Sequence, residues 1–454
     1  MLLFTVLAAA RCALAIYGAP FDEPGHSELL TNSFLKDMAM NREVVRMAKL
    51  EKRKMCIIRA NKKELKDDAP RIMKALNGKC RTKSIVYLPD CVYNIMSNMT
   101  TMYLNDVKII QMGRLLWSPD IDYWRSVAMP IGFQNQTTVW YFGGDRVIWD
   151  GYGHGTLDGN GQVWYDWARS EGNLPGRPCN INLRRLSNSV IRNMRFVQSQ
   201  MWTMAITNSR GIELTDIYVN STSNSQWSTL NTDGCDTINS DHIIFRRWFV
   251  QNGDDAIALK RNSSHIYVHD SVFKGGQGLA MGSVGQYDGK YDYISDFYAR
   301  NLTFIDTAHV SYLKTWAGVS RGYPPNGGGG GLGRADNINI TDVKVEKLRQ
   351  QPFFAWQCEN YSGWAGKDCN SSKFKMSNVR WRNVTGTVKK GVKDIGWFQC
   401  SAAAGGCDNF EVADIRITVD GESKRDKLDK WHCENMNKHK GFTCNDPRRP
   451  KESK

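Results

Sequence analysis

The sequence predicts an all-β chain wound as one parallel β-solenoid, with a short helix capping its start. Three observations carry that expectation. Similar segments recur, namely SNSVIRNMRFV at 187–197, SRGIELTDIYV at 209–219, SDHIIFRRWFV at 240–250 and SSHIYVHDSVF at 263–273. Later copies are ADNINITDVKV at 335–345 and SSKFKMSNVRW at 371–381. The first apolar residues of the early copies, 190, 212, 243 and 266, step by 22, 31 and 23. Self-similarity on this scale marks a solenoid. Within each copy apolar and polar residues alternate, which is the strand period. Each copy also has a polar turn and an Asn, Asp or Arg bend between two short strands. A leucine-rich repeat would need regular leucines, and a propeller would need blades of about 40 residues.

The elements follow in order. Length alone, 454 residues, suggests two or three domains, but the repeat makes one elongated body. Residues 1–15, MLLFTVLAAARCALA, form an apolar run ending Ala13-Leu14-Ala15, which reads as a secretory signal. Arg11 interrupts the run, so a buried N-terminal helix is the alternative. Residues 16–50 read as an extension with helical character, most strongly from Asn41 to Lys54. The solenoid domain is expected over 51–425. Near its start, Arg71 to Leu76 forms a short amphipathic helix suited to covering the open end of a β-stack. Asp67 and Asp68 precede it, where carboxylates cap helices and favour the dipole. From about 136 the chain settles into short strands. GYPPNGGGGGLG at 322–333 is a long irregular loop that either overhangs a cleft or lies free on the surface. Residues 426–454 read as a basic, disulfide-containing tail, disordered at 446–454.

Twelve cysteines include Cys12 in the leader, which leaves an odd number and at least one unpaired thiol. Close spacing suggests Cys358/Cys369, Cys400/Cys407 and Cys433/Cys444, with Cys56/Cys80 as a fourth pair; Cys91, Cys179 and Cys235 stay unassigned. No zinc-site spacing occurs, and export favours oxidation. Nine Asn-x-Ser/Thr sequons, at Asn98, Asn135, Asn220, Asn262, Asn301, Asn339, Asn360, Asn370 and Asn383, fit a secreted glycoprotein. The net charge of +14 suggests an acidic partner. No nucleic-acid-binding motif accompanies it. Beyond the leader no apolar run approaches the ~18 residues of a membrane span.

The chemistry centres on carboxylates. Asp233 sits in Asn231-Thr232-Asp233-Gly234, and Asp254-Asp255 follows after Gly253, one interval of 21 residues (254 − 233). Gly276-Gln277-Gly278 comes 23 residues later (277 − 254). If each interval is one coil, these groups stack on one face, with coils about 4.8 Å apart. Two carboxyl groups about 6.5–9.5 Å apart, one protonated and one ionised, are what an inverting glycosidase uses. A lone Asp-Asp is ordinarily a turn, but order and spacing together point to a site. Clustered carboxylates repel, so at least one pKa should rise and keep an acid protonated. Carboxylates without a His cluster suggest no metal and no cofactor.

These motifs resemble glycoside hydrolase family 28, the polygalacturonase family, over roughly residues 50–420. That family reads Asn-Thr-Asp, Asp-Asp, Gly-His-Gly and Arg-Ile-Lys. The first two stand intact here, Gln277 replaces the His, and Tyr312-Leu313-Lys314 keeps only the Lys. The resemblance implies a right-handed parallel β-helix and a secreted, monomeric enzyme that hydrolyses pectic polysaccharide. It implies Asp254 as general acid, and Asp233 and Asp255 as the groups that hold and deprotonate water. Asn231, Gln277, Tyr312 and Lys314 would meet substrate. Tyr312 lacks the bidentate fork of Arg, so the site should favour a neutral sugar or a different acid geometry in one subsite. Lys314 to Gly318 and the Gly-rich loop resemble the fungal branch of exo-acting galacturonidases and rhamnogalacturonan-directed rhamnosidases. Trp316 and Trp356 are candidates to stack on sugars. His154, in Gly153-His154-Gly155, mimics the third motif but lies 79 residues before Asp233 (233 − 154), which marks it as structural. Two alternatives remain: a pectin-binding protein without catalysis, and a polysaccharide lyase, which needs a basic proton abstractor and usually Ca²⁺.

Overall fold

Two kinds of strand alternate along the chain, and each pairs with its own kind one coil away. Short strands such as Asp236–Ile238, Asp255–Leu259, Gly278–Val284, Ser311–Trp316 and Phe353–Glu359 form one track. Long strands such as Arg210–Asn220, Ser240–Asn252, Ser263–Gly275, Asp292–Ile305 and Gly333–Leu348 form the other. All of these pairings are parallel, so the chain is a parallel β-helix, as the repeat predicts. This computed structural model describes residues 39–61, 66–359, 366–421 and 428–445. The expected signal at 1–15, most of the 16–50 extension and the 446–454 end lie outside the described residues.

A constant pair of bends turns each long strand around the tube. Asn188, Gly211, His242, His265, Asp296, Asn337, Asn378 and Asn409 occupy equivalent positions on successive coils, all with φ between 48° and 66°. Five residues further along each strand the left-handed region recurs, at Asn193, Asp216, Arg247, Asp270, Asn301, Asp342, Asn383 and Asp414. This backbone region costs most side chains about 1–2 kcal/mol, and Asn, Asp and Gly bear it best. That is why the repeats read as Asn/Asp bends. The bend side chains also bond between coils. Asn337 Nδ2 donates to Asp296 Oδ1 at 2.7 Å, and Asn383 Nδ2 donates to Asp342 Oδ1 at 2.8 Å.

Between the bends, alternate residues fill the tube. Ile212, Ile243, Ile266, Phe297, Ile338, Val379 and Phe410 stack in register, each at most 1% exposed. Fully burying such a side chain is worth roughly 1.5–3 kcal/mol. The helix Ala69–Asn77 closes the first coil with Ile72 and Leu76. A helix over 39–50 lays Val44 and Ala48 on Ile85, Tyr87 and Ile110.

Asp67 and Asp68 divide the work expected of both. Asp67 Oδ1 accepts from the Ala69 N–H at 3.0 Å, a helix-start bond. Asp68, 1% exposed, makes no side-chain cap bond. It accepts instead from Asn61 N at 2.8 Å and Asn94 N at 3.2 Å, tying the helix to the first coils. Disulfides join Cys56–Cys80, Cys358–Cys369, Cys400–Cys407 and Cys433–Cys444, the four pairs read from spacing. Cys179 and Cys235 are free and buried. The stack also runs past 425 into the segment set apart as a tail, because Lys430–Glu434 pairs with Asp394–Gln399 and His439–Lys440 with Cys407–Val419.

Candidate active site

Turns between the two tracks deliver the carboxylates. The turn before Asp236–Ile238 carries Asn231 and Asp233, and the next coil's turn carries Asp254 and Asp255. Asn231 is left-handed, with φ 60°. Its N–H donates to Asp254 Oδ2 at 2.9 Å, and its Nδ2 reaches the same oxygen at 3.4 Å. The Asp255 N–H donates to Asp254 Oδ1 at 3.0 Å. Asp254 is thereby fixed from two coils, half-buried, while Asp233 and Asp255 are 3% and 5% exposed. One oxygen of each of the three carboxyls lies within 4.8 Å of the others. This separation is no more than the coil spacing and shorter than the roughly 6.5–9.5 Å expected of an inverting pair.

The chain supplies much of the compensating charge. Lys260, 5% exposed, directly follows the strand Asp255–Leu259. Its ammonium lies 3.1 Å from Asp236 Oδ1 and 3.9 Å from Asp255 Oδ2, and donates to Gly282 O at 2.9 Å. Burial alone would lower the Lys260 pKa, but Asp236 and Asp255 outweigh it and raise the pKa. Burial pushes Asp236 up to about 7, with Lys260 opposing. Burial and the Asp254 charge lift Asp255 to about 6, with Lys260 and the Tyr312 hydroxyl opposing. Asp233 is raised well above the carboxylate range by burial, then by Asp236, Asp254 and Asp255. Among the described residues its Oδ1 has no hydrogen-bond partner.

Tyr312 occupies the place where the family has Arg and brings a neutral donor there. Its hydroxyl donates to Asp255 Oδ1. In register, Asp236, Ala258, Ala280 and Tyr312 follow one another across four coils. The two small alanines fit a phenol leaning back over them towards Asp255. Lys314 stands half-buried on the same strand.

Three loops wall a cavity of about 400 Å³ over these groups. Gly172 and Asn173 close one side, where the Asn173 N–H donates to Asn231 Oδ1 at 2.6 Å. Gln134 comes from a second loop, and Pro325 and Asn326 from the Gly-rich loop. These last two loops are latched through Gln286, which accepts from Gln134 Nε2 at 2.6 Å and donates to Pro325 O and Gly327 O at 3.2 Å. The glycines are required. A Cβ at Gly328 would meet Gln286 O at 2.3 Å, and one at Gly329 would meet Val319 O at 2.3 Å. Of the two readings for this loop, the overhanging one holds.

Asn231, Asp233, Asp254, Asp255, Tyr312, Lys314 and Trp316 line the cavity. Gln277 does not. Its backbone N–H donates to Asp254 O at 2.9 Å, so it supports the turn that presents Asp254. Trp356 does not line it either. His154 lines a separate surface hollow with Met40 and Tyr152. Lys260, Trp202 and Glu359 were missed from the sequence and line the cavity. Lys260 had a signal, a cation that directly follows the apolar run Ala256 to Leu259. Trp202 and Glu359 had none.

A β-helix whose turns gather carboxylates under a loop-walled cavity defines a carbohydrate-cleaving class of protein. The model of Glycosyl hydrolases family 28 matches residues 134–444, and the chain belongs to that family and is a glycoside hydrolase. It is 38% identical over 392 residues to the alpha-L-rhamnosidase rgxB of Aspergillus niger, covering 86% of this chain and 90% of that one. Its fold resembles that of an endo-xylogalacturonan hydrolase from Aspergillus tubingensis, with TM-score 0.71, 21% identity, and 86% and 98% of the two chains covered. It also resembles the family 28 exopolygalacturonase of Yersinia enterocolitica, with TM-score 0.60, 14% identity, and 85% and 78% covered.

Proposed function

We propose that this hydrolase removes a neutral terminal sugar, of the L-rhamnose type, from the ends of rhamnogalacturonan, a pectic polysaccharide, and inverts the anomeric centre. The observation that carries the reading is the walled cavity, because loops that close over a carboxylate cluster favour a chain end over a passing polymer. Asp254, the more exposed carboxyl, serves as general acid to the glycosidic oxygen. Asp233 and Asp255 hold the attacking water, for which the unpartnered Asp233 Oδ1 is an acceptor. The carboxyls are closer than the general inverting separation. The recessed positions of Asp233 and Asp255 favour water, not carboxylate, as the attacking group. With no Arg fork, and Tyr312 committed to Asp255, the cavity has a weak claim on a uronate. The similarity to a rhamnosidase supports the same sugar.

The chain is further proposed to be secreted and glycosylated. Four disulfides among the described residues favour an oxidising compartment, and the sequon residues Asn135, Asn301 and Asn370 are exposed. The test is incubation with rhamnogalacturonan and with polygalacturonate, following viscosity, reducing ends and unsaturated products together. Reducing ends should rise on rhamnogalacturonan while viscosity barely falls. A rapid viscosity fall on polygalacturonate would refute exo action, and unsaturated product would indicate a lyase.

A further inference from the structure

The cavity holds one acidic group that the proposed hydrolysis does not use. Glu359 ends the strand Phe353–Glu359, is 8% exposed and faces the same cavity as Lys314. It lies on the coil next to Lys314, in register with Trp316. Lys314 is the one cation of the family's fourth motif that this chain keeps, and Lys260 is already engaged by Asp236 and Asp255. Around the cavity, Lys260 and Lys314 face Asp233, Asp254, Asp255 and Glu359. With Lys260 held by Asp236 and Asp255, Glu359 is the acidic group of the lining left to balance Lys314. A buried anion in the same lining as Lys314, which has no ion pair among the described residues, offsets the charge that a galacturonate would need, while a neutral sugar loses nothing by it.

We infer that Glu359 is a specificity-determining residue, a charge gate that neutralises Lys314 and bars uronates from the cavity in favour of neutral sugars. This rests on the proposed exo reading of the same cavity. Burial raises the Glu359 pKa, and the Lys314 charge opposes that rise without cancelling it.

The test is calorimetric binding of monosaccharides at near-neutral pH. Wild type should bind the methyl ester of galacturonate about tenfold more tightly than the free acid, the scale expected of one unpaired charge in a partly desolvated site. Glu359→Gln should move the ratio of galacturonate to rhamnose affinity about tenfold towards galacturonate, and adding Lys314→Met should cancel that gain. A wild type that binds acid and ester equally, or a Glu359→Gln ratio within twofold of wild type, overturns the gate. The ester comparison needs no variant, so it decides even if Glu359→Gln folds poorly. A wild type that cleaves pectic chain ends but shows no such preference sinks the gate alone. One that neither binds nor cleaves any of these sugars sinks the function with it.

Discussion

Asp254 and Lys260 divide the chemistry between a proton donor and a fixed counter-charge. Asp254→Asn keeps the shape but has one acceptor oxygen for the two N–H groups, of Asn231 and Asp255, that its two oxygens now serve, and it has no proton to give. Turnover should fall about 10²–10⁴-fold with the fold retained, and near-wild-type hydrolysis would remove Asp254 from the mechanism. Lys260→Met strands Asp236, fully buried, without its ion-pair partner. Breaking such a pair costs about 3–5 kcal/mol, measurable by denaturant unfolding; a loss under about 1 kcal/mol would mean that Asp236 is simply protonated in the fold. The pH dependence follows from the same groups. Asp255 and Asp236 titrate at about 6 and about 7 in the fold. In the unfolded chain they titrate near 3.9, so the folded state keeps protons that the unfolded state has shed. Their stabilising contribution is full below about pH 4 and lost as pH rises through about 6 and 7. The melting temperature should therefore fall from about pH 5 to about pH 7.5, and a rise over that range would contradict the assigned burial.

At the scale of the element, the two left-handed bends of each long strand set the coil. Asn337 is the clearest probe, since its Nδ2 donates to Asp296 Oδ1 and to Tyr298 Oη, both at 2.7 Å. Asn337→Gly loses these bonds but keeps the backbone freedom. Asn337→Ala loses the bonds and also bears the left-handed cost of about 1–2 kcal/mol. Thermal unfolding should rank wild type above the Gly variant and Gly above Ala. Ala equal to Gly would mean that the bend carries no conformational strain. These bends are what made the fold legible, because Asn and Asp recur where the backbone turns left-handed. The 31-residue step between Ile212 and Ile243 was legible only as an irregular interval. Its extra residues are the insertion that brings Asn231 and Asp233 to the rim. The slips in pairing along the short track could not be read from coil spacing. The pairing shifts by one residue between Asp255 and Ile257, between Gly282 and Val284, and between Lys314 and Trp316.

For the whole molecule, the sequence made the solenoid, its motifs and four disulfides readable because each is local or strictly periodic. The cavity was not readable. Its walls come from loops around residues 134, 173 and 325, which meet only after many coils have stacked. Gln286 latches two of these walls, and no spacing announces that contact. The central claim is that these walls and the carboxylates beneath them make an inverting enzyme that releases one neutral sugar at a time. Proton NMR of the first minutes of reaction with a rhamnose-ended rhamnogalacturonan oligosaccharide tests it directly. The account predicts that free rhamnose is the sole early product and that it appears first as the anomer opposite to that of the bond cleaved. Early release of oligosaccharide fragments, or first appearance of the retained anomer, would contradict it.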